Sequence, residues 1–113
     1  MNLERQSVAV LQQLGRTYRA FAGAFEQRIG LPLPRWHILH ALHHQESAIG
    51  QTALADLVVM DPSALTRQLK VMQELGWVEC TPSERDNRVL HVTISRAGRE
   101  VVARYHSAAL GIP

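Results

Sequence analysis

The stretch "WHILHALHHQ", residues 36–45, sets four histidines within eight positions: His37, His40, His43 and His44. Imidazoles three and four apart on a helix can grip a divalent cation, rim a pocket, or stand in water. At about 100° per residue, His37, His40 and His44 fall within about 60° on one face, nearly opposite Ile38, Leu39 and Leu42. His43 lies to one side. Two of the three could share one metal, but no carboxylate or cysteine is placed to complete the set. His40 and His44 have the spacing of a zinc-protease helix, yet position 41 is alanine where the general-base glutamate would stand. There is no nucleophile elbow, phosphate-binding loop or dinucleotide glycine pattern. An enzyme is therefore not expected. Plain exposure of the histidines ranks first, a polar rim to a ligand pocket or dimer cleft second, and metal binding third.

A second constellation lies further on. Asp61 suits an N-cap and Pro62 a first helical residue. On the helix that follows, Ser63, Thr66, Arg67 and Lys70 share one face, opposite Leu65, Leu69 and Met72. All four are hydrogen-bond donors. Arginine and lysine suit guanine edges and phosphates, and serine and threonine suit phosphates and either base edge. An ordinary solvated face would look the same. The turn "PSERDNR" shifts the balance, because a basic side chain on a projecting turn can enter a narrow minor groove. It carries Arg85, Asp86 and Arg88. Asp86 has the wrong sign for phosphate and is expected to pair with an arginine and shape the turn. Residues 63–91 hold four basic groups (Arg67, Lys70, Arg85, Arg88) and four acidic ones (Glu74, Glu79, Glu84, Asp86), so this face must work by arrangement and not by bulk charge.

The elements that would position these residues follow from periodicity. Residues 4–29 read as one long helix with a narrow apolar seam, Leu11, Leu14, Tyr18, Phe21 and Phe25. Packing within the chain and contact with a second subunit explain the seam equally well. "GLPLP" breaks the chain, and a second helix runs from about 35 to 45 with Pro34 in its first turn. "SAIGQ" is a turn. "QTALADLV" is a short helix with Leu54, Leu57 and Val58 inward. The helix from Pro62 ends near Leu75, with Gly76 as its closing glycine. The period then changes to two. "WVECT" and "VLHVTIS" are strands, the second with Leu90, Val92 and Ile94 on one face. Ser95 can cap a last helix carrying Val101, Val102 and Tyr105. Two short helices joined by a tight turn and followed by a hairpin describe a winged helix-turn-helix. The fold class is mainly α with a small β-hairpin wing.

Composition sets the limits. A chain of 113 residues, 46% apolar, suits one domain with one core. The net charge of +2 is a mild bias toward anionic partners. No apolar run is long enough for a membrane span. "MNLERQS" lacks the order of a signal peptide. The single cysteine, Cys80, excludes an internal disulfide framework and reads as a small half-buried strand residue. A cytoplasmic protein without membrane partners is expected.

"LPRWHILHAL", "QTALADLVVMDPSALTRQLKVMQELGWVE" and "ERDNRVLHVTISRAGRE" together resemble the MarR family of bacterial transcription regulators over essentially the whole chain. Leu75-Gly76-Trp77-Val78, Asp86-x-Arg88 and Ile94-Ser95-x-x-Gly98 are the specific matches. The resemblance implies one MarR-type domain over 1–113, with dimerisation helices at about 4–29 and 96–110 and a DNA-binding winged helix at about 35–95. It implies a homodimer on a pseudo-palindromic operator in double-stranded DNA, acting as a repressor. Ser63, Ala64, Thr66, Arg67 and Lys70 would read the major groove, and Arg88, with Arg85 beside it, the minor groove. Regulation by a small, often phenolic effector is implied. Some zinc-sensing relatives take ligands from the second and last helices, which would bring His106 to His37. The peroxide-sensing members use a cysteine in the first helix, and here that helix has none. The family usually continues further at the C-terminus, so a weaker or differently built dimer is expected. The alternatives are a winged-helix interaction module without DNA binding and a zinc-responsive regulator.

Overall fold

A computed structural model describes residues 2–86 and 88–109, with side chains described to residue 106. Its backbone groups into two compact units, residues 1–33 and 34–113.

The first unit is essentially one helix, α1 (Leu3–Ile29). Asn2 caps it, its side chain accepting from the Glu4 and Arg5 amides, and Gly30 closes it in the left-handed conformation that glycine adopts freely. The expected seam is exposed: Leu11, Leu14, Tyr18 and Phe21 each keep more than half their surface in solvent. Phe21 and Phe25 lie one turn apart with ring centroids at 6.3 Å.

The second unit holds α2 (Leu33–His43, all but its first residue), β1 (Ile49–Gly50), α3 (Gln51–Val58), α4 (Pro62–Glu74), β2 (Val78–Pro82), β3 (Leu90–Ile94) and α5 (Arg96–Ala109). Its core takes Ile38, Leu39 and Leu42 from α2, Leu54, Ala55 and Val58 from α3, and Leu65, Leu69 and Met72 from α4. Val78, Val92, Val101 and Val102 complete it from the strands and α5. The sheet is antiparallel in the order β1-β3-β2, with Cys80 opposite Val92 and Pro82 opposite Leu90. Pro82 is tolerated because β2 is an edge strand.

Two expectations are corrected. "SAIGQ" is not only a turn, because Ile49 and Gly50 pair with Val92 and His91 as a third strand. Two residues are too few to show a period of two, so the strand was invisible to pattern. Leu57 is half exposed while Ala55 is buried. At about 100° per residue the buried arc of α3 runs through Leu54, Val58 and Ala55, and Leu57 lies off its edge. Leu90 shares the face of Val92 and Ile94 but is 41% exposed, because β3 begins at the wing, where less of the core lies beneath it.

The turn between α3 and α4 stores strain. Val59 has φ 52°, a left-handed conformation that a β-branched side chain adopts at a cost of about 1–2 kcal/mol. Its amide still bonds the Asp56 carbonyl, and the Met60 amide bonds that of Ala55. Val59 is 89% exposed, so its side chain contributes little packing. Val59→Gly is therefore expected to stabilise the fold by about 0.5–1 kcal/mol, after allowing for the greater freedom of glycine in the unfolded chain. A urea unfolding midpoint at or below that of the wild type would contradict this account.

Candidate nucleic-acid interface

The helix α4 is set up locally. Asp61 accepts from the Ser63 and Ala64 amides at 3.0 and 3.2 Å, and Pro62 occupies the first turn, where its missing N–H costs nothing. Leu65, Leu69 and Met72 are buried, which fixes the rotation of the helix. Ser63, Thr66, Arg67 and Lys70 are consequently exposed, and Ala64 is half-buried at the edge of that face. Arg35, on α2, donates through Nε to Gln68 Oε1 at 3.1 Å and ties α4 to α2 from its other side.

One residue on this face differs from expectation. The Thr66 hydroxyl donates its proton to the Pro62 carbonyl at 2.9 Å. Its oxygen then accepts from Gln51 Nε2 at 2.6 Å. Thr66 is thus not a free donor, unlike Ser63, Arg67 and Lys70 among the described residues. Gln51, the first residue of α3, did not stand out in the sequence, because nothing in a period or motif shows a bond made across fifteen residues.

The wing is shaped by two short side chains. Ser83, the one buried polar residue among those described, accepts through Oγ from the Arg85 amide. The Asp86 carboxylate accepts from the Arg88 amide at 3.0 Å, from its Nε at 3.1 Å and from its Nη2 at 3.3 Å. The pairing expected of Asp86 is therefore present, and its partner is Arg88. These bonds hold the Asp86 carboxyl below the usual carboxylate range. The Arg88 side chain remains 91% exposed, and Arg85 is exposed beside it. A cleft of about 220 Å³ lies between wing and helix-turn-helix, lined by Gln51, Thr52, Pro62, Arg88, Val89 and Leu90.

The histidines are brought together in a different set. His40 and His44 face each other with Nε2 atoms 3.4 Å apart, and the His106 ring stacks beside His40 at 6.1 Å. His37 is exposed, and His106 neighbours His40 in its place. His40, His43, His44, Val102, Ala103 and His106 line a cleft of about 310 Å³. Trp36 flanks it, 5.5 Å from the His40 ring. Among the described residues, no group of three or more His, Cys, Asp or Glu side chains is arranged to hold a metal ion. Cys80 is half-buried, and burial pushes its thiol pKa up, which keeps it protonated.

Burial, reinforced by the neighbouring His44, His106, His43 and His37, lowers the His40 pKa from its ordinary 6.5. The unfolded chain therefore binds this proton more tightly than the folded one. Stability from this group is complete above the ordinary value and falls as pH drops through it toward the folded pKa. His40→Gln is expected to flatten the decline of the melting temperature between about pH 7.5 and 5.5. Parallel pH profiles for variant and wild type would mean that the cluster is not proton-linked to folding.

The comparisons with known proteins agree with this geometry. A family model described as the MarR family matches residues 31–90. The uncharacterised HTH-type transcriptional regulator YdgJ of Bacillus subtilis is 30% identical over 95 residues, covering 84% of this chain and 57% of its own. The HTH-type transcriptional repressor IacR of Pseudomonas putida is 32% identical over 79 residues, covering 69% of this chain and 46% of its own. The chain thus spans about half the length of the curated relatives it matches. Among solved structures, the M. tuberculosis transcriptional regulator MOSR in complex with DNA superposes with a TM-score of 0.82 at 20% identity. That match covers 89% of this chain and 74% of the other.

Proposed function

The chain belongs to the MarR family, and from that premise we propose that it is a sequence-specific, DNA-binding transcriptional repressor acting in the cytoplasm. The carrying observation is the joint presentation of Ser63, Arg67 and Lys70 on α4 and of Arg88 on the wing. These groups are exposed, and none is spent on the core. Ala64 and Thr66 supply the apolar and acceptor part of the same face. Arg85 lies near enough to Arg88 in sequence to meet a phosphate flanking the groove. The cleft lined by Gln51, Thr52 and Arg88 is open between the two reading elements and could receive the sugar-phosphate backbone.

The repressor works as a homodimer on a pseudo-palindromic operator. The exposed seam on α1 supports this, since a row of large apolar side chains in solvent is what a second copy would cover. A single winged helix reads one half-site, and two-fold symmetry doubles it. The apolar cleft rimmed by His40, His44 and His106 supports regulation by a small aromatic effector.

The test is selection of bound sequences from a randomised duplex library, followed by titration of the selected site against excess unrelated DNA. A palindromic site should emerge, and its affinity should fall steeply with salt as phosphate counterions are released. Failure to select any site, with no salt-dependent affinity, would favour a winged-helix protein-interaction module.

A further inference from the structure

We infer that Gln51 is a specificity-setting positioning residue, which fixes the Thr66 hydroxyl so that this side chain meets DNA as an acceptor and a methyl group, not as a donor. The inference rests on the DNA-binding reading above. It starts from the bonding capacity of a hydroxyl, one proton and two lone pairs. The Pro62 carbonyl oxygen can only accept, so the 2.9 Å contact takes the proton. The Gln51 amide nitrogen can only donate, so the 2.6 Å contact takes a lone pair. What remains is one lone pair and the γ-methyl.

An unconstrained threonine on a recognition helix can rotate its hydroxyl and donate to guanine, thymine or phosphate as the partner requires. With the proton committed, those donations are lost. The remaining lone pair suits the amino donors of adenine or cytosine, and the methyl suits the thymine C5-methyl. An A·T pair offers both, an amino group on one strand and a methyl on the other. Thr66 should therefore favour A·T at one position of each half-site and discriminate against G·C.

The geometry also explains why the device sits on Gln51. It is the first residue of α3, and its side chain crosses from one helix of the pair to the other. It also lines the cleft beside Arg88. A shorter side chain at that position could not span the gap, and an aliphatic one of equal length could not donate.

The experiment compares the sequence preferences of four proteins selected from one randomised duplex library: wild type, Gln51→Ala, Thr66→Val and the double variant. Gln51→Ala should lower the A·T preference at one base pair per half-site by about two- to tenfold, the worth of one neutral hydrogen bond, and leave other positions unchanged. In the Thr66→Val background, which keeps a methyl but has no hydroxyl, Gln51→Ala should change nothing further. Gln51→Met, long but without a donor, replaces alanine if the melting temperature falls.

A uniform loss of affinity in Gln51→Ala, with every preference intact, overturns the inference and leaves Gln51 a structural brace. A preference that shifts equally in the Thr66→Val background also overturns it, because Gln51 would then touch DNA directly. If the wild type selects no site at all, the DNA-binding reading falls with it. If the wild type selects a site and Gln51→Ala selects the same one, only the inference falls.

Discussion

Gly98→Ala is expected to destabilise the protein by about 1–3 kcal/mol, the usual range for overpacking, and by the upper part of it. A Cβ built on Gly98 overlaps the Trp77 carbonyl oxygen and comes within 2.7 Å of Ile94 Cγ1. The obstacle is main chain and cannot swing away as a flexible side chain would. The Trp77 carbonyl is also occupied, since it accepts from the Ser95 amide at 2.9 Å. Ser95 Oγ in turn donates to the Gly76 carbonyl and accepts from the Gly98 amide. Moving any one of these groups disturbs the joint between the end of α4 and the start of α5. Alanine gains up to about 1 kcal/mol over glycine in a helix interior, which offsets only part of the overlap. Gly23→Ala is the matched control. It lies in α1 with nothing within 4 Å of its added Cβ, so the propensity gain stands alone and the variant should be neutral or slightly more stable. Thermal or urea melts of the two variants should move in opposite directions. Equal shifts would show that helix propensity, not space, governs position 98.

That contrast shows what the sequence could and could not disclose. Ile94-Ser95-x-x-Gly98 was visible as a family-like motif, but its cause, a glycine pressed against a carbonyl from Trp77, exists only once the chain is folded. Helix ends were legible where a local rule decided them, as with Asp61 and Pro62 opening α4 and Gly76 closing it. The rotation of α4 was legible too, because Leu65, Leu69 and Met72 repeat at the helical period. The strand at Ile49–Gly50 was not, since its identity comes from pairing with Val92 and His91. The same limit applied to the interface. Exposure of Arg67 and Lys70 followed from periodicity, whereas the lone pair that Thr66 gives up to the Gln51 amide, fifteen residues away, did not. The histidines make the point again. Spacing grouped His37 with His40 and His44, but α5 brings His106 to His40 and His37 stays in solvent.

Arg88→Ala is expected to weaken operator binding by about 1–3 kcal/mol, roughly 5- to 150-fold, while leaving the fold intact. The two halves of that statement have separate grounds. The side chain is 91% exposed and, among the described residues, pairs only with Asp86, so its removal takes little from stability. On DNA it would be the group that enters the minor groove, where narrowing deepens the negative potential most in A·T-rich sequence. The loss should therefore be larger on operators with A·T-rich flanks than on G·C-rich ones, and the salt dependence should fall by about one counterion. Asp86 acts on the same contact in two opposing ways. Its carboxylate neutralises part of the arginine charge, so simple electrostatics says that Asp86→Ala should strengthen binding to any DNA. Its bonds to the Arg88 amide and guanidinium also hold the wing tip in one shape, so preorganisation says that it should weaken binding to the operator. The two effects separate by sequence. Binding to unrelated DNA should be equal or tighter in Asp86→Ala, and binding to the operator weaker, so the ratio between them should collapse. Operator affinity unchanged in Arg88→Ala would remove the wing from the interface and leave the reading to α4 alone. A loss in Asp86→Ala that is the same on every sequence would mean that its carboxylate supports the wing fold and does not aim the arginine.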